Sequence, residues 1–278
     1  MIDAHQHFWA LHRGDYGWLT SDIGPIYRDF GPDDLRPMLE RFGIKGTILV
    51  QAAPTVAETR YMLELAREND FIKGVVGWVD FEAIDAAEQI AELAENPELV
   101  GLRPMIQDIA DTDWMLKPGL SPTYEALVAH DLVFDALTLP QHLKNLLRLA
   151  DRFPDMRIVV DHGSKPRIAT GEKSGWAEDM KAIAEETSAF CKLSGLVTEA
   201  GQTWTIDNLR PYIAHLLEVF GPERLIWGSD WPVCTLACSY DDWFAITGEL
   251  LKDLGEADKH AVMGGNAERV YLSGTARQ

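Results

Sequence analysis

The chain has 278 residues, 46% hydrophobic and 25% charged, and its 44 acids against 25 bases give a formal charge of −19. These are ordinary globular proportions that argue against disorder, and no apolar run approaches the roughly 20 residues that cross a bilayer. So negative a field repels phosphate backbones and anionic membranes, which disfavours nucleic acid and lipid as partners.

The N-terminus lacks the basic and apolar regions of a secretory leader, so a cytoplasmic location is expected. The three cysteines, Cys191, Cys234 and Cys238, have no framework spacing and are expected to be reduced thiols. Self-association into a homo-oligomer is left open.

Taken in chain order, the first strand-like run is Ile2 to His5, followed by a Gly-, Asp- and aromatic-rich stretch from Leu11 to Pro32 that reads as a loop over a mouth. Thr47–Gln51, Gly74–Asp80, Leu99–Arg103, Leu132–Asp135, Arg157–His162, Phe190–Gly195 and Arg224–Asp230 follow. All are short and apolar without polar alternation, as parallel strands buried on both faces should be. Amphipathic segments lie between them: Glu58–Asn69, Ile84–Glu95, Gln141–Phe153, Trp176–Thr187 and Asp207–Phe220. Pro97, Pro154 and Pro222 each end a helix before a strand. The tail from Lys259 to Arg269 reads as one or two helices packed across the barrel. The expected fold is α/β: a single-domain, distorted (β/α)8 TIM barrel over residues 1–278 with C-terminal helices.

In such a barrel the chemistry lies at the C-terminal ends of the strands. Those ends carry His5 and His7, Gln51, Asp80, Arg103, Asp135, His162, Ser194 and Asp230. His5 and His7, separated by one residue, point to the same side of a strand and can reach one ion or one substrate oxygen. With His162 and Asp230 they form a set that could hold one divalent metal, zinc first by donor type. Alternatively Asp230, ionised at neutral pH, takes a proton from a water held by the histidines. Both routes attack an electrophilic carbon, and the chain has no G-x-S-x-G nucleophile elbow.

Arg103 reads as a clamp on a substrate oxygen or as a structural ion-pair partner. Lys165 reads as a substrate-facing cation or a solvated loop lysine. Trp9, Trp18, Trp204 and Trp231 could stack on a sugar ring or simply fill the core, with Trp9 and Trp231 taken as substrate-binding candidates.

The residues that carry this pattern resemble the amidohydrolase superfamily, in its amidohydrolase-related sugar-lactonase branch. They are Asp3-Ala4-His5-Gln6-His7-Phe8-Trp9, Val76 to Asp80, Gly101-Leu102-Arg103, Asp161-His162, Lys192 to Gly195, and Phe220 to Arg224 with Gly228 to Pro232. The resemblance spans nearly the whole chain and implies hydrolysis of an aldonolactone to its acid, with His5, His7, His162 and Asp230 at the reacting carbonyl. Strand four offers Arg103 where binuclear members place a bridging Lys or Glu, and strand five offers Asp135 where they place His. One metal or none is therefore expected, because the branch includes members that work without one. A metal-dependent non-oxidative decarboxylase of the same superfamily and a non-enzymatic sugar-binding barrel are the alternatives.

Overall fold

The computed structural model describes residues 1–274. Eight strands pair in parallel in chain order: β1 (Ile2–Gln6), β2 (Gly46–Val50), β3 (Ile72–Gly77), β4 (Leu99–Leu102), β5 (Val133–Ala136), β6 (Ile158–Val160), β7 (Phe190–Leu193) and β8 (Leu225–Trp227). Around them run α1 (Pro32–Phe42), α2 (Val56–Glu68), α3 (Ala86–Leu93), α4 (Ser121–Ala129), α5 (Leu143–Arg152), α6 (Trp176–Glu186), α7 (Ile206–Phe220) and α8 (Tyr240–Leu250). The expected (β/α)8 barrel is the fold found. No helix among the described residues is long and apolar enough to cross a membrane.

Side chains on one face of the strands, such as Ile48, Val76, Val100, Val159 and Ile226, fill the barrel interior. Those on the other face, such as Leu49, Val75, Phe134, Leu193 and Trp227, pack under the helices in the larger core. The period of two along a strand is what separates the two cores. Above the apolar interior layer comes a charged one, because Asp135 and Lys192 lie two residues on from Val133 and Phe190, and Asp161 two on from Val159.

The seam between β1 and β8 is completed beyond the strand ends. Asp230 N donates to His5 O at 2.7 Å, and His7 N donates to Trp231 O at 2.8 Å. Backbone must approach closely here: a Cβ on Gly228 would lie 2.6 Å from the His5 Cβ, so only glycine fits. The opposite end is covered by α9 (Glu256–His260) and two π-helical turns, Ala261–Gly265 and Glu268–Leu272. Ala267, Val270 and Tyr271 complete the apolar floor.

Two expectations need correction. The strands stop earlier than the apolar runs suggest, β3 at Gly77, β6 at Val160, β7 at Leu193 and β8 at Trp227, so several polar ends sit in turns. Three helices, α1, α4 and α8, were not read from the sequence. Pro37 lies inside α1, Pro122 opens α4, and aromatic residues crowd the first half of α8, which blurs the helical period. The Leu11–Pro32 stretch is a loop with two short 3-10 turns, Leu11–Arg13 and Ser21–Ile26.

Candidate active site

A register shift between Asp3 and Gln6 on β1 interrupts strict alternation. It lets His5 and His7 both face the interior while Gln6 Nε2 donates to Thr47 Oγ1 at 3.1 Å. The other two members come from turns. His162 (φ 54°) and Asp230 (φ 56°) both lie in the left-handed region, as does Lys165 (φ 48°). Side chains rarely adopt that conformation unless the surroundings impose it. Room for the His162 ring comes from Gly195, where a Cβ would sit 2.5 Å from His162 Nδ1.

The four side chains converge on one point. Asp230 Oδ1 lies 3.3 Å from His7 Nε2, 3.7 Å from His5 Nε2 and 3.9 Å from His162 Nε2. His7 Nδ1 is 2.7 Å from Val50 O. A carbonyl only accepts, so Nδ1 carries a proton, and Nε2 faces the Asp230 carboxylate either as a second N–H that donates to it or as a lone pair. In either state a cation or a proton lies between Nε2 and the carboxylate. Ligands about 2.0–2.1 Å from a tetrahedral zinc stand about 3.3–3.5 Å apart, close to the observed spacings. His5, His7 and Asp230 therefore fit one divalent ion; their ligand atoms lie within 4.8 Å of one another.

Burial and charge set the ionisation. Burial pushes the Asp230 carboxyl up, but His162, the His7 hydrogen bond and His5 outweigh it and hold the group well below the usual carboxylate range. Burial lowers His162 to about 4, against the pull of Asp230 and Asp161. His5 is lowered well below its ordinary value, first by burial and then by the nearby Lys192 ammonium. At neutral pH the site thus holds an ionised Asp230 beside neutral His5 and His162, the state that both metal binding and general-base chemistry need.

The site opens into a cavity of about 230 Å³ lined by His7, His162 and Asp230, with Arg103, Lys165 and Trp18 among the walls. A larger groove of about 640 Å³ between α5 and α6 contains none of these residues. Arg103 is tied down: NH1 donates to Asp161 Oδ2 at 3.2 Å and stands 3.3 Å from His5 Nε2, and NH2 donates to Gln51 O. Its Nε–H is buried with no hydrogen-bond partner among the described residues. Lys165 Nζ stands 3.9 Å from Glu199 Oε1, a loose pair.

The two tryptophans taken for stacking faces do not line the cavity. Trp9 is wholly buried, with its indole N–H donating to Arg28 O and its ring against Trp18 and Phe30; Trp231 is buried against Phe8 and Phe30. Trp18, on the Leu11–Pro32 loop, takes the cavity wall and is held there by its N–H on Ala52 O at 2.7 Å. Asp80 is exposed and away from the cavity, where it accepts from Glu82 N. Sequence reasoning missed Lys192 and gave Asp161 no role. Both are fully buried behind His5, with Lys192 Nζ 3.2 Å from His5 Nδ1. A lysine between apolar neighbours in a strand was the available signal.

The family model described as Amidohydrolase matches residues 2–272. An L-fucono-1,5-lactonase of Burkholderia ambifaria is 46% identical over 97% of this chain and 94% of its own length. An L-fucono-1,5-lactonase of Burkholderia multivorans is 34% identical over 97% and 95%. Among solved structures, a Burkholderia multivorans amidohydrolase with bound zinc superposes with a TM-score of 0.92 at 35% identity, covering 97% of this chain and 98% of that one. The barrel, the converging His5, His7, His162 and Asp230, and these full-length likenesses agree: this chain belongs to the amidohydrolase family.

Proposed function

We propose that this chain hydrolyses a sugar lactone to the open aldonic acid, with Asp230 as general base. The observation that carries this reading is a buried, ionised carboxylate facing three imidazole nitrogens at 3.3 to 3.9 Å, at the base of a cavity of monosaccharide size. The names of the relatives above support the substrate class and put an L-fucono-1,5-lactone first in any panel.

In the proposed reaction Asp230 takes a proton from water, and the water oxygen bonds to the lactone carbonyl carbon. The developing oxyanion meets His162 Nε2–H, a donor when the Ser194 hydroxyl donates to Nδ1 across 2.8 Å, and the spare Arg103 Nε–H. The tetrahedral carbon then collapses, the bond to the ring oxygen breaks, and Asp230 returns its proton to that oxygen. Gln107 Oε1, a buried acceptor without a partner among the described residues, is placed on the cavity wall for a sugar hydroxyl. A divalent ion, zinc by donor type, would be held by His5, His7 and Asp230 with His162 beside them, and would supply Lewis-acid polarisation of the carbonyl. Lys165 serves as a further cation at the cavity wall.

A pH-indicator assay over five- and six-membered sugar lactones tests the proposal. One proton released per turnover near neutral pH is expected, because the product acid is fully ionised there. No acid above the spontaneous rate, with carbon dioxide released from a carboxylated substrate, would replace the lactonase reading with a decarboxylase.

A further inference from the structure

We propose that Lys192 is a positioning residue that serves as an internal cation, occupying Asp161 and His5 so that the barrel holds one divalent ion at His5, His7 and Asp230 and no second one. The proposal concerns metal stoichiometry and stands whether or not the lactonase reading does.

The site contains a second trio with metal-ligand spacing, His5, Asp161 and His162, whose ligand atoms also lie within 4.8 Å of one another. Yet that trio is already served by fixed charge. Lys192 Nζ lies 3.0 Å from Asp161 Oδ1 and 3.2 Å from His5 Nδ1, at the point where two of the three ligands meet. The other Asp161 oxygen accepts from Arg103 NH1 at 3.2 Å. Both oxygens of Asp161 thus face a basic side chain, and a dication placed there would meet Lys192 and the Arg103 guanidinium at close range. In the first trio a cation reaches only His5, whose Nε2 is 3.3 Å from Arg103 NH1; its carboxylate, Asp230, has imidazoles as its nearest neighbours.

Lys192 is itself locked. It is fully buried on β7, its Nζ is 2.6 Å from Asp135 Oδ2, and the other Asp135 oxygen accepts from Tyr271 OH at 2.7 Å. Tyr271 comes from the C-terminal π turn and stands over the ammonium, with its ring centroid 5.2 Å away. Lys192 therefore has no exit to solvent through which an incoming ion could displace it.

Zinc stoichiometry, read by elemental analysis after equilibration with excess zinc and desalting, tests the assignment. The charge-balanced pair Lys192→Met with Asp135→Asn removes one cation and one anion together. It should take up one zinc more per chain than the wild type, with the added ion bound at least tenfold more tightly than any second ion of the wild type. Adding Asp161→Asn to that variant should abolish the gain. Asp161→Asn alone, made in the wild-type background, should leave the zinc content unchanged, because Asp161 is not a ligand there. A folded double variant with no extra zinc, a wild type that already holds two ions, or zinc lost from Asp161→Asn alone overturns the proposal. The last of these decides the matter even if the double variant fails to fold.

Discussion

Two polar clusters lie next to each other inside this barrel, and they differ in what faces their carboxylates. In the deeper one, Lys192 meets Asp135 at 2.6 Å and Asp161 at 3.0 Å, and Tyr271 closes the remaining side of Asp135. In the upper one, the Asp230 carboxylate faces three imidazoles at 3.3 to 3.9 Å. The deeper carboxylates face cationic side chains, with Asp161 Oδ1 in an ion pair but in no well-aligned hydrogen bond among the described residues. The upper carboxylate faces imidazoles and opens onto the cavity. Residue type alone does not separate structural from chemical charge here; the partner that faces each carboxylate does.

That contrast can be broken by removing one member at a time. Lys192→Met leaves Asp135 and Asp161 buried beside a neutral side chain, and denaturant unfolding should show a loss of about 3–5 kcal/mol, the usual cost of breaking a buried pair. The paired change Lys192→Met with Asp135→Asn should recover a large part of that loss. Asp230→Asn belongs to the other cluster and should do the opposite. Turnover should fall at least ~100-fold, about 2.7 kcal/mol in barrier, with little change in Michaelis constant or unfolding free energy. Wild-type turnover in a folded Asp230→Asn variant would remove it from the mechanism.

Arg103 touches both clusters, so it sharpens the comparison. Arg103→Met should lower turnover about tenfold while changing the Michaelis constant less, as expected for a donor to the developing oxyanion. A larger change in affinity than in turnover would assign Arg103 to ground-state substrate binding instead.

The smallest effect comes from His162. Its pKa is about 4 in the fold against a usual 6.5, because burial and the cations Lys165 and Arg103 outweigh Asp230 and Asp161. The unfolded chain therefore binds the proton first as pH falls, so this group costs stability on acidification from about 6.5 toward 4. Between pH 7 and pH 6 the loss should be under about 1 kcal/mol. His162→Asn should show a correspondingly flatter change in unfolding free energy over that interval, and an unchanged slope would show that His162 does not titrate as argued.

Much of this was legible in the chain. Short unbroken apolar runs alternating with amphipathic ones read as a barrel because strands buried on both faces and helices buried on one leave different periods. His5, His7, His162 and Asp230 stood out because polar groups at strand ends are where this fold puts its chemistry. What could not be read was direction beyond the strand ends. Trp9 and Trp18 are equivalent as letters, yet backbone pairing of Trp9 with Phe30 turns the first into the core and leaves the second at the wall. Lys192 was hidden for a similar reason. A buried lysine is intelligible only once Asp135 and Asp161, 57 and 31 positions earlier in the sequence, are seen on neighbouring strands.

The seam between β1 and β8 gives the molecule a history as well as a shape. His7 and Asp230 are separated by 223 positions, which a ribosome working at ~5–20 residues per second needs roughly 10–45 s to traverse. Throughout that interval the first strand has emerged with its pairing edge open and its imidazoles waiting. The reaction centre therefore cannot be assembled before the last strand, and catalytic competence reports that the eighth strand has been made and has found the first.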